Sequence, residues 1–95
     1  MDAVLVLRER LQISDTVYVE MVVWQVPKAL KGSNHAFKYR LALISGGICV
    51  LRFDNAAGKG DHKHVGNREV PYTFGSVDDL LVDFWTEVDT WLKRR

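Results

Sequence analysis

The sequence contains a single cysteine, only two prolines and no long uninterrupted hydrophobic run. One cysteine cannot form an internal disulfide, and Cys49 lies in the apolar run ICVL, so we interpret its thiol as a small buried hydrophobe. The longest apolar stretches, such as VEMVVWQV, are far shorter than the roughly 20 residues that cross a bilayer, and the acid at Asp2 stands where a signal peptide is basic. We therefore expect a cytoplasmic protein with no membrane segment.

Length and composition limit the number of domains. With 95 residues, of which 47% are hydrophobic, the chain is long enough for one core and too short for two. It contains no internal repeat, no low-complexity tract and no linker rich in proline, glycine or serine. We predict a single domain over residues 1–95.

Charge is distributed unevenly along the sequence, although the formal net charge is only +1. Residues 28–74 carry eight basic side chains against three acidic ones, an excess of five positive charges. Five carboxylates follow Ser76, ahead of the terminal KRR. Because local fields attract partners more than total charge does, the sequence predicts a positive side that suits a polyanion.

Extended runs dominate the first three quarters of the sequence. AVLVLRERLQI and TVYVEMVVWQV are rich in β-branched residues and predict a hairpin around SD. FKYRLALI and ICVLRFDN predict a second hairpin, because the glycines of SGG supply the positive φ of a tight turn. In FKYRLALI, alternation places Phe37 and Tyr39 on one face and Lys38 and Arg40 on the other. In REVPYTF, Pro71 indicates an edge or irregular strand.

The segment that starts at Ser76 predicts an amphipathic helix. Ser76 suits an N-cap, and Asp79 three residues later places a carboxylate at the positive end of the helix dipole. The apolar stripe that follows consists of Val77, Leu80, Leu81, Phe84, Trp85, Val88, Trp91 and Leu92. We therefore predict an α+β fold, in which one C-terminal helix packs on one face of an antiparallel four- to five-stranded sheet built from two hairpins.

The stretch DNAAGKGDHKH lacks apolar periodicity and predicts a polar loop whose side chains suit catalysis. His62 and His64 are separated by one residue, so in an extended conformation both rings point the same way, and Asp61 and Lys63 point oppositely. Imidazoles titrate near neutral pH and suit general acid and base roles, which cleavage of RNA by its own 2′-hydroxyl requires. We take His62, His64, Lys59 and Asp61 as catalytic candidates.

Basic side chains around this loop suit contacts with phosphates. The candidates for nucleic-acid binding are Lys38, Arg40, Arg52, Lys63 and Arg68. Lys59, Lys63 or Arg52 could also stabilise the charge that develops on a phosphorane, and Gly58 and Gly60 would let the backbone approach a phosphate. A solvated sheet face produces the same pattern, so both interpretations stay open.

A metal site would use some of the same residues. The His-x-His pair with Asp54 or Asp61 supplies three ligands. Neighbouring lysines oppose a cation, and only the distant His35 offers a further ligand, so we predict no metal and no other cofactor. A polar turn whose histidines cap backbone groups is a third interpretation.

The run YRLALISGGICVLRFDNAAGKGDHKHVGNREVPYTFGSVDDLLVDF resembles the TumE-type toxins of prokaryotic type II toxin–antitoxin systems. An aromatic-Asx turn at Phe53 and a Gly-Lys-Gly-Asp-His-x-His loop ending at His64 carry the likeness. An acidic-Pro-Tyr segment at Glu69 and an acid-rich final helix extend it. The resemblance is close over the C-terminal half and looser over the VVWQVP hairpin.

The resemblance implies a growth-inhibiting toxin that a helix-turn-helix antitoxin, encoded beside it, neutralises by direct binding. It does not imply a catalytic mechanism, so ribonuclease activity is inferred from the loop and from the common activity of small toxins. The main hypothesis is a metal-independent endoribonuclease. The alternatives are a non-catalytic nucleic-acid-binding or inhibitory module and a metal-dependent nuclease or transferase. RNA and the antitoxin are the expected partners, and exposed edge strands leave a homodimer open.

Overall fold

The architecture is a six-stranded antiparallel sheet followed by one helix. The computed structural model describes residues 2–56 and 58–94. In chain order the elements are β1 (Val4–Gln12), β2 (Val17–Gln25), β3 (Phe37–Ser45), β4 (Ile48–Asp54), β5 (His62–Val65), β6 (Arg68–Pro71) and α1 (Val77–Arg94). The strand order in the sheet equals the order in the sequence. The predicted α+β class, the two hairpins and the final helix are confirmed.

The helix begins at the predicted cap. The Ser76 hydroxyl accepts a hydrogen bond from the Asp79 backbone N–H at 3.0 Å, which satisfies one of the free donors of the first turn. Leu80, Phe84 and Val88 are buried, as the apolar stripe predicted. The helix therefore packs its stripe against one face of the sheet.

The core lies between α1 and this face of the sheet. Alternate residues of β2 are buried, from Val17 to Val23, whereas in β3 the alternation ends at Leu41, where a run of four consecutive buried residues begins. Phe53 of β4 meets Phe84 edge to face, with ring centroids 5.7 Å apart. In the described residues no element covers the opposite face of the sheet, and its long polar side chains are available for function.

The number of strands differs from the prediction of four to five. The extra strand is β5, which arises from the His-x-His stretch that we expected in a loop. His62 pairs with Asp54 and Val65 with Leu51, because the alternation His-Lys-His-Val matches the pleat of β4. A tight turn at Gly66, with φ 62°, then leads into β6. Pro71 ends β6 at the sheet edge, as predicted.

The prediction of a buried thiol at Cys49 is wrong, because Cys49 is exposed. It lies one residue after the start of β4, beside the hairpin turn, where a register shift between Leu43 and Ile44 interrupts the pairing of β3 with β4. This end of the hairpin extends away from the helix-covered core, so an apolar run in the sequence does not produce burial.

No helix in residues 2–56 or 58–94 combines the length and the apolar character needed to span a membrane.

Candidate functional site

A polar cluster occupies the sheet face that points away from α1. Its members come from four adjacent strands, and we call the surface they form the polar sheet face: Lys38, Arg40, Arg52, Asp54, His62, His64 and Glu69. The strand register assembles it, because Arg52 pairs with His64, Asp54 with His62, and His64 with Glu69. Residues distant in sequence therefore lie side by side across the sheet.

His62 is the most buried member of this cluster, with only 5% of its surface exposed. Its Nδ1 lies 3.0 Å from the Gly60 carbonyl oxygen, which accepts but cannot donate, so Nδ1 carries a proton. Its Nε2 faces Asp54 Oδ1 at 2.5 Å. Nδ1 is therefore the hydrogen-bonded nitrogen of this ring, and Nε2 lies beside a carboxylate without a hydrogen bond to it.

Asp54 is held between His62 and Arg52. Arg52 Nε lies 3.0 Å from Asp54 Oδ2, close enough for an ion pair. Neither this contact nor the contact with His62 has hydrogen-bond angles, so Arg52 Nε and Asp54 Oδ1 are buried atoms with no hydrogen-bond partner among the described residues. The charges attract, but the lone pairs and N–H bonds of these atoms point elsewhere.

His64 differs from His62 in its hydrogen-bond partner and in its exposure. Its Nε2 lies 2.8 Å from Arg52 Nη2, and because a guanidinium only donates, Nε2 accepts and the ring proton sits on Nδ1. Glu69 Oε2 approaches the same nitrogen at 3.4 Å. His64 is partly exposed, so its neutral ring lies at the surface where a substrate can reach it.

Three donor atoms of the cluster lie close enough together to bind one cation. One ligand atom each from Asp54, His62 and His64 falls within 4.8 Å of the others. Two imidazole nitrogens and a carboxylate oxygen suit a transition-metal dication. Arg52 contacts two of these three residues and supplies a positive charge in the same position, so a metal ion would have to displace its guanidinium.

A second polar network lies beside the first, between the loop after β2 and the loop after β4. Asp61 accepts hydrogen bonds from the Tyr39 hydroxyl at 2.6 Å, His35 Nε2 at 2.8 Å and the Ser33 hydroxyl at 3.3 Å. His35 Nδ1 accepts from the Phe37 backbone N–H, so neither nitrogen of this ring is free. The network joins the two loops and has no unused acid or base.

Two glycines bring these loops into backbone contact. Gly32 and Gly60 have φ of 94° and 74°, and a Cβ added to Gly60 would lie 2.7 Å from the Gly32 carbonyl oxygen. The buried Asn55 ties the same region together, since it accepts from the Tyr39 backbone N–H and donates to the Phe37 carbonyl. The Gly60 carbonyl that orients His62 is therefore fixed in place.

An open cleft of about 520 Å³ lies against these loops. Its lining includes Lys59, Asp61, Tyr72 and Phe74. Phe74 stacks on the His35 ring at a centroid distance of 3.8 Å. Lys59 is exposed, so a cation and two aromatic side chains line a cleft at the loop end of the sheet.

Burial and the neighbouring carboxylate of Asp61 raise the pKa of Tyr39 far above its usual value. Above about pH 10 this phenol ionises in the unfolded chain but stays protonated in the folded protein, so the free energy of unfolding falls as pH rises. The contribution of one such tyrosine is about 1.4 kcal/mol per pH unit.

We therefore expect Tyr39→Phe to flatten the alkaline loss of stability by about that slope, because phenylalanine has no proton to lose. At pH 7 the variant should be less stable by about 1–2 kcal/mol, since Asp61 loses a donor. Urea unfolding between pH 7 and pH 11 measures both effects. An unchanged alkaline slope would contradict the assignment of this proton to Tyr39.

Comparison with known families gives a match that covers nearly the whole chain. The family described as Toxin TumE matches residues 2–92. The chain belongs to the TumE toxin family. Among curated proteins and among solved structures, no match was found. The match confirms the predicted resemblance and extends it over β1 and β2, where the likeness was looser. Membership of this family implies a toxin of a toxin–antitoxin system, and hence an antitoxin partner.

The site residues predicted from the sequence of this TumE family member fall into three places. His62, His64, Arg52, Lys38 and Arg40 lie together on the polar sheet face. Lys59 and Asp61 lie at the adjoining cleft, which separates them from the histidine pair. Lys63 and Arg68 lie on the helix side of the sheet, and Lys63 Nζ contacts Glu87 Oε2 at 2.7 Å.

Sequence reasoning missed two features of the site in this TumE family member. Glu69 was noted only for its resemblance to the family pattern, yet it lies opposite His64. The period-two alternation in REVP is the signal that could have placed it there. His35 was taken for an ordinary loop residue, but its partner Asp61 is 26 residues away in sequence, and no local pattern indicates that pairing.

Proposed function

We propose that this toxin is an endoribonuclease that acts through the polar sheet face. One observation carries the proposal: two histidines with different hydrogen-bond partners lie beside an arginine on an uncovered, basic face. An acid, a base and a cation within one side-chain length are what cleavage of a phosphodiester by a neighbouring hydroxyl needs. The toxin family gives the biological setting, since damage to RNA stops growth.

The hydrogen bonds suggest which histidine does what. His64 accepts at Nε2 and is neutral, so it suits the general base that takes the proton of a 2′-hydroxyl. His62 Nε2 lies beside the Asp54 carboxylate without a hydrogen bond to it, so this nitrogen suits the general acid that gives a proton to the 5′-oxygen. The ring centroids of the two histidines lie 5.1 Å apart, close enough to act on one phosphate.

Arg52 couples substrate binding to activation of the base. A phosphate that binds the Arg52 guanidinium draws it away from His64 Nε2, which frees the lone pair of that nitrogen. The 2′-oxygen then attacks phosphorus, the bond to the 5′-oxygen breaks, and that oxygen takes a proton from His62. The products are a 2′,3′-cyclic phosphate and a 5′-hydroxyl end.

The remaining basic residues extend the contact with RNA. Lys38 and Arg40 are exposed on the same face and suit the phosphates of neighbouring nucleotides. Lys59, at the rim of the cleft, suits the phosphate of a nucleotide further along the RNA strand. Lys63 and Arg68 would contact RNA only where it passes round the β6 edge. We assign Asp61 a positioning role, because all its contacts hold loops together.

The decisive experiment incubates the purified chain with mixed cellular RNA in excess chelator. Cleavage that leaves 2′,3′-cyclic phosphate ends supports a metal-independent endoribonuclease. Lys93→Ala, which removes an exposed cation from the far end of α1, is the matched control and should cleave like wild type. Salt-dependent RNA binding without cleavage products would overturn the proposal and favour the non-catalytic binding module.

A metal-dependent nuclease or transferase is the second candidate, favoured by the spacing of the donor atoms of Asp54, His62 and His64. The hydrogen bond from His62 Nδ1 to the Gly60 carbonyl is also typical of a metal-binding histidine. Asp61 takes no part in this group. Activity that appears only when Mn²⁺ or Zn²⁺ follows the chelator would select this candidate over the metal-independent one.

The cellular setting follows from the same proposal. We place the toxin in the cytoplasm, where its RNA substrates are, and expect a helix-turn-helix antitoxin as its partner. Neutralisation by such a partner requires either that it covers the polar sheet face or that it binds elsewhere and prevents the toxin from acting.

A further inference from the structure

The strand β1 forms an edge of the sheet that is long, exposed and apolar. It has nine residues, and every one except Leu7 is exposed. Most of the large hydrophobic side chains that the described residues expose belong to β1 or the turn after it: Val4, Leu5, Val6, Leu11 and Ile13. On its outer side, the backbone N–H and C=O groups of β1 have no neighbouring strand.

The two edges of the sheet differ. The other edge strand, β6, has only four residues and ends in a proline, which are features that prevent pairing with a further strand. β1 is more than twice as long, and its charged residues Arg8, Glu9 and Arg10 restrict which strand can pair there without closing the edge. A long edge with open backbone groups and exposed apolar side chains suits the addition of a further strand.

Charge on β1 indicates what kind of strand fits there. Arg8 and Arg10 point to the face away from α1, where their guanidinium groups lie over the rings of Trp24 and Tyr18 at 5.7 and 4.2 Å. Neither arginine forms an ion pair with any residue in the described part of the chain. Aromatic stacking fixes both cations in position while leaving their charges unneutralised.

Several antiparallel registers of a second copy on this edge bring arginines together. In an antiparallel pair centred at Glu9, Arg8 of one copy faces Arg10 of the other, twice. Centring the pair at Arg8 or Arg10 places an arginine opposite itself. Like charges directly opposite each other destabilise a strand pair, whereas acidic residues in the same positions stabilise it.

The helix-covered side of the edge is mainly apolar. Leu7 and Leu11 point to this side, and the exposed carboxylate of Glu9 lies between them. Glu87 of α1 contacts Lys63 of β5, so the opposite flank of the helix, with Leu81 and Trp85, faces towards β1. A strand added to β1 would therefore find two leucines and one carboxylate on one face and two cations on the other.

We propose that β1 is the docking site of the antitoxin, through an extended segment that adds a seventh strand to the sheet. This segment carries acidic residues opposite Arg8 and Arg10 and apolar residues on the alternate positions. Toxin family membership supplies the partner, and the open edge with its unpaired arginines supplies the chemistry that selects it. The inference concerns recognition only and does not depend on whether the toxin cleaves RNA.

The test compares binding of the antitoxin encoded with this toxin to wild type and to an Arg8→Glu/Arg10→Glu double variant. We expect the dissociation constant to rise at least about tenfold in the double variant, because two attractive contacts become repulsive. The matched control is Lys93→Glu/Arg94→Glu, which makes the same charge change on exposed side chains at the end of α1 and should bind like wild type. Titration calorimetry measures all three.

Hydrogen exchange supplies a readout that does not depend on mutation. The amides of Val4–Gln12 should exchange at least about tenfold more slowly in the complex than in the free toxin. Equal affinity of the wild type and the β1 double variant, with β1 exchange unchanged by the antitoxin, would overturn the proposal. A toxin that forms homodimers protected at β1 in the absence of antitoxin would also overturn it. Neither measurement requires RNA cleavage, so its outcome is separate from that of the cleavage assay.

Discussion

Replacing His64 with alanine is expected to lower RNA cleavage by about 10²–10⁴-fold and to abolish growth inhibition, because a positioned base contributes a factor of that size. The structure makes His64 the more informative of the two histidines. It is half-buried at the surface and accepts one hydrogen bond from Arg52, so its loss should leave the fold intact. Cleavage rates on mixed RNA, together with urea unfolding, separate the two effects.

His62→Ala should reduce cleavage similarly but at a cost in stability, since the buried ring leaves a cavity and the Gly60 carbonyl loses its donor. RNA binding should survive in the His64 variant, because Lys38, Arg40 and Arg52 stay in place. A His64→Ala protein that cleaves at the wild-type rate would remove the acid–base mechanism, whatever the behaviour of His62→Ala.

The second large effect is expected at Gly60. Gly60→Ala places a Cβ 2.7 Å from the Gly32 carbonyl oxygen, at a φ of 74° that L-residues rarely adopt. The left-handed backbone and the clash together should lower the free energy of unfolding by about 2–5 kcal/mol. Cleavage should fall as well, because the Gly60 carbonyl holds His62.

The same loop contains a matched control. Gly58 also has a positive φ, 88°, but a Cβ added there meets nothing within 4 Å. Gly58→Ala should therefore carry only the backbone cost, about 1–2 kcal/mol. Urea unfolding of both variants isolates the contact between the two loops, and equal destabilisation would show that Gly60 and Gly32 do not constrain each other.

The elements that the sequence predicted well are those that local pattern decides. The stripe that buries Leu80, Phe84 and Val88 repeats every three or four residues, and the cap at Ser76 acts within one turn. The alternation that exposes Lys38 and Arg40 is likewise visible within one strand. In each case the residues that determine the structure are close together in the sequence.

The elements that it missed depend on pairing across the sheet or between loops. The strand β5 is short and rich in charge, and it exists because β4 offers a complementary edge to His62–Val65. The contact between Asp61 and His35 joins two loops that are separated by all of β3 and β4. Which of the predicted site residues share one surface is fixed by register, and local sequence does not encode register.

Each strand of this sheet pairs with the strand before it, so none has to wait for a later segment in order to find its neighbour. Such a chain pairs only strands that are consecutive in the sequence and should form its hairpins in order as it leaves the ribosome. The helix that closes the core comes after all six strands, so the apolar face of the sheet remains exposed to solvent until α1 has been synthesised. A ribosome can therefore finish the sheet without producing a stable toxin.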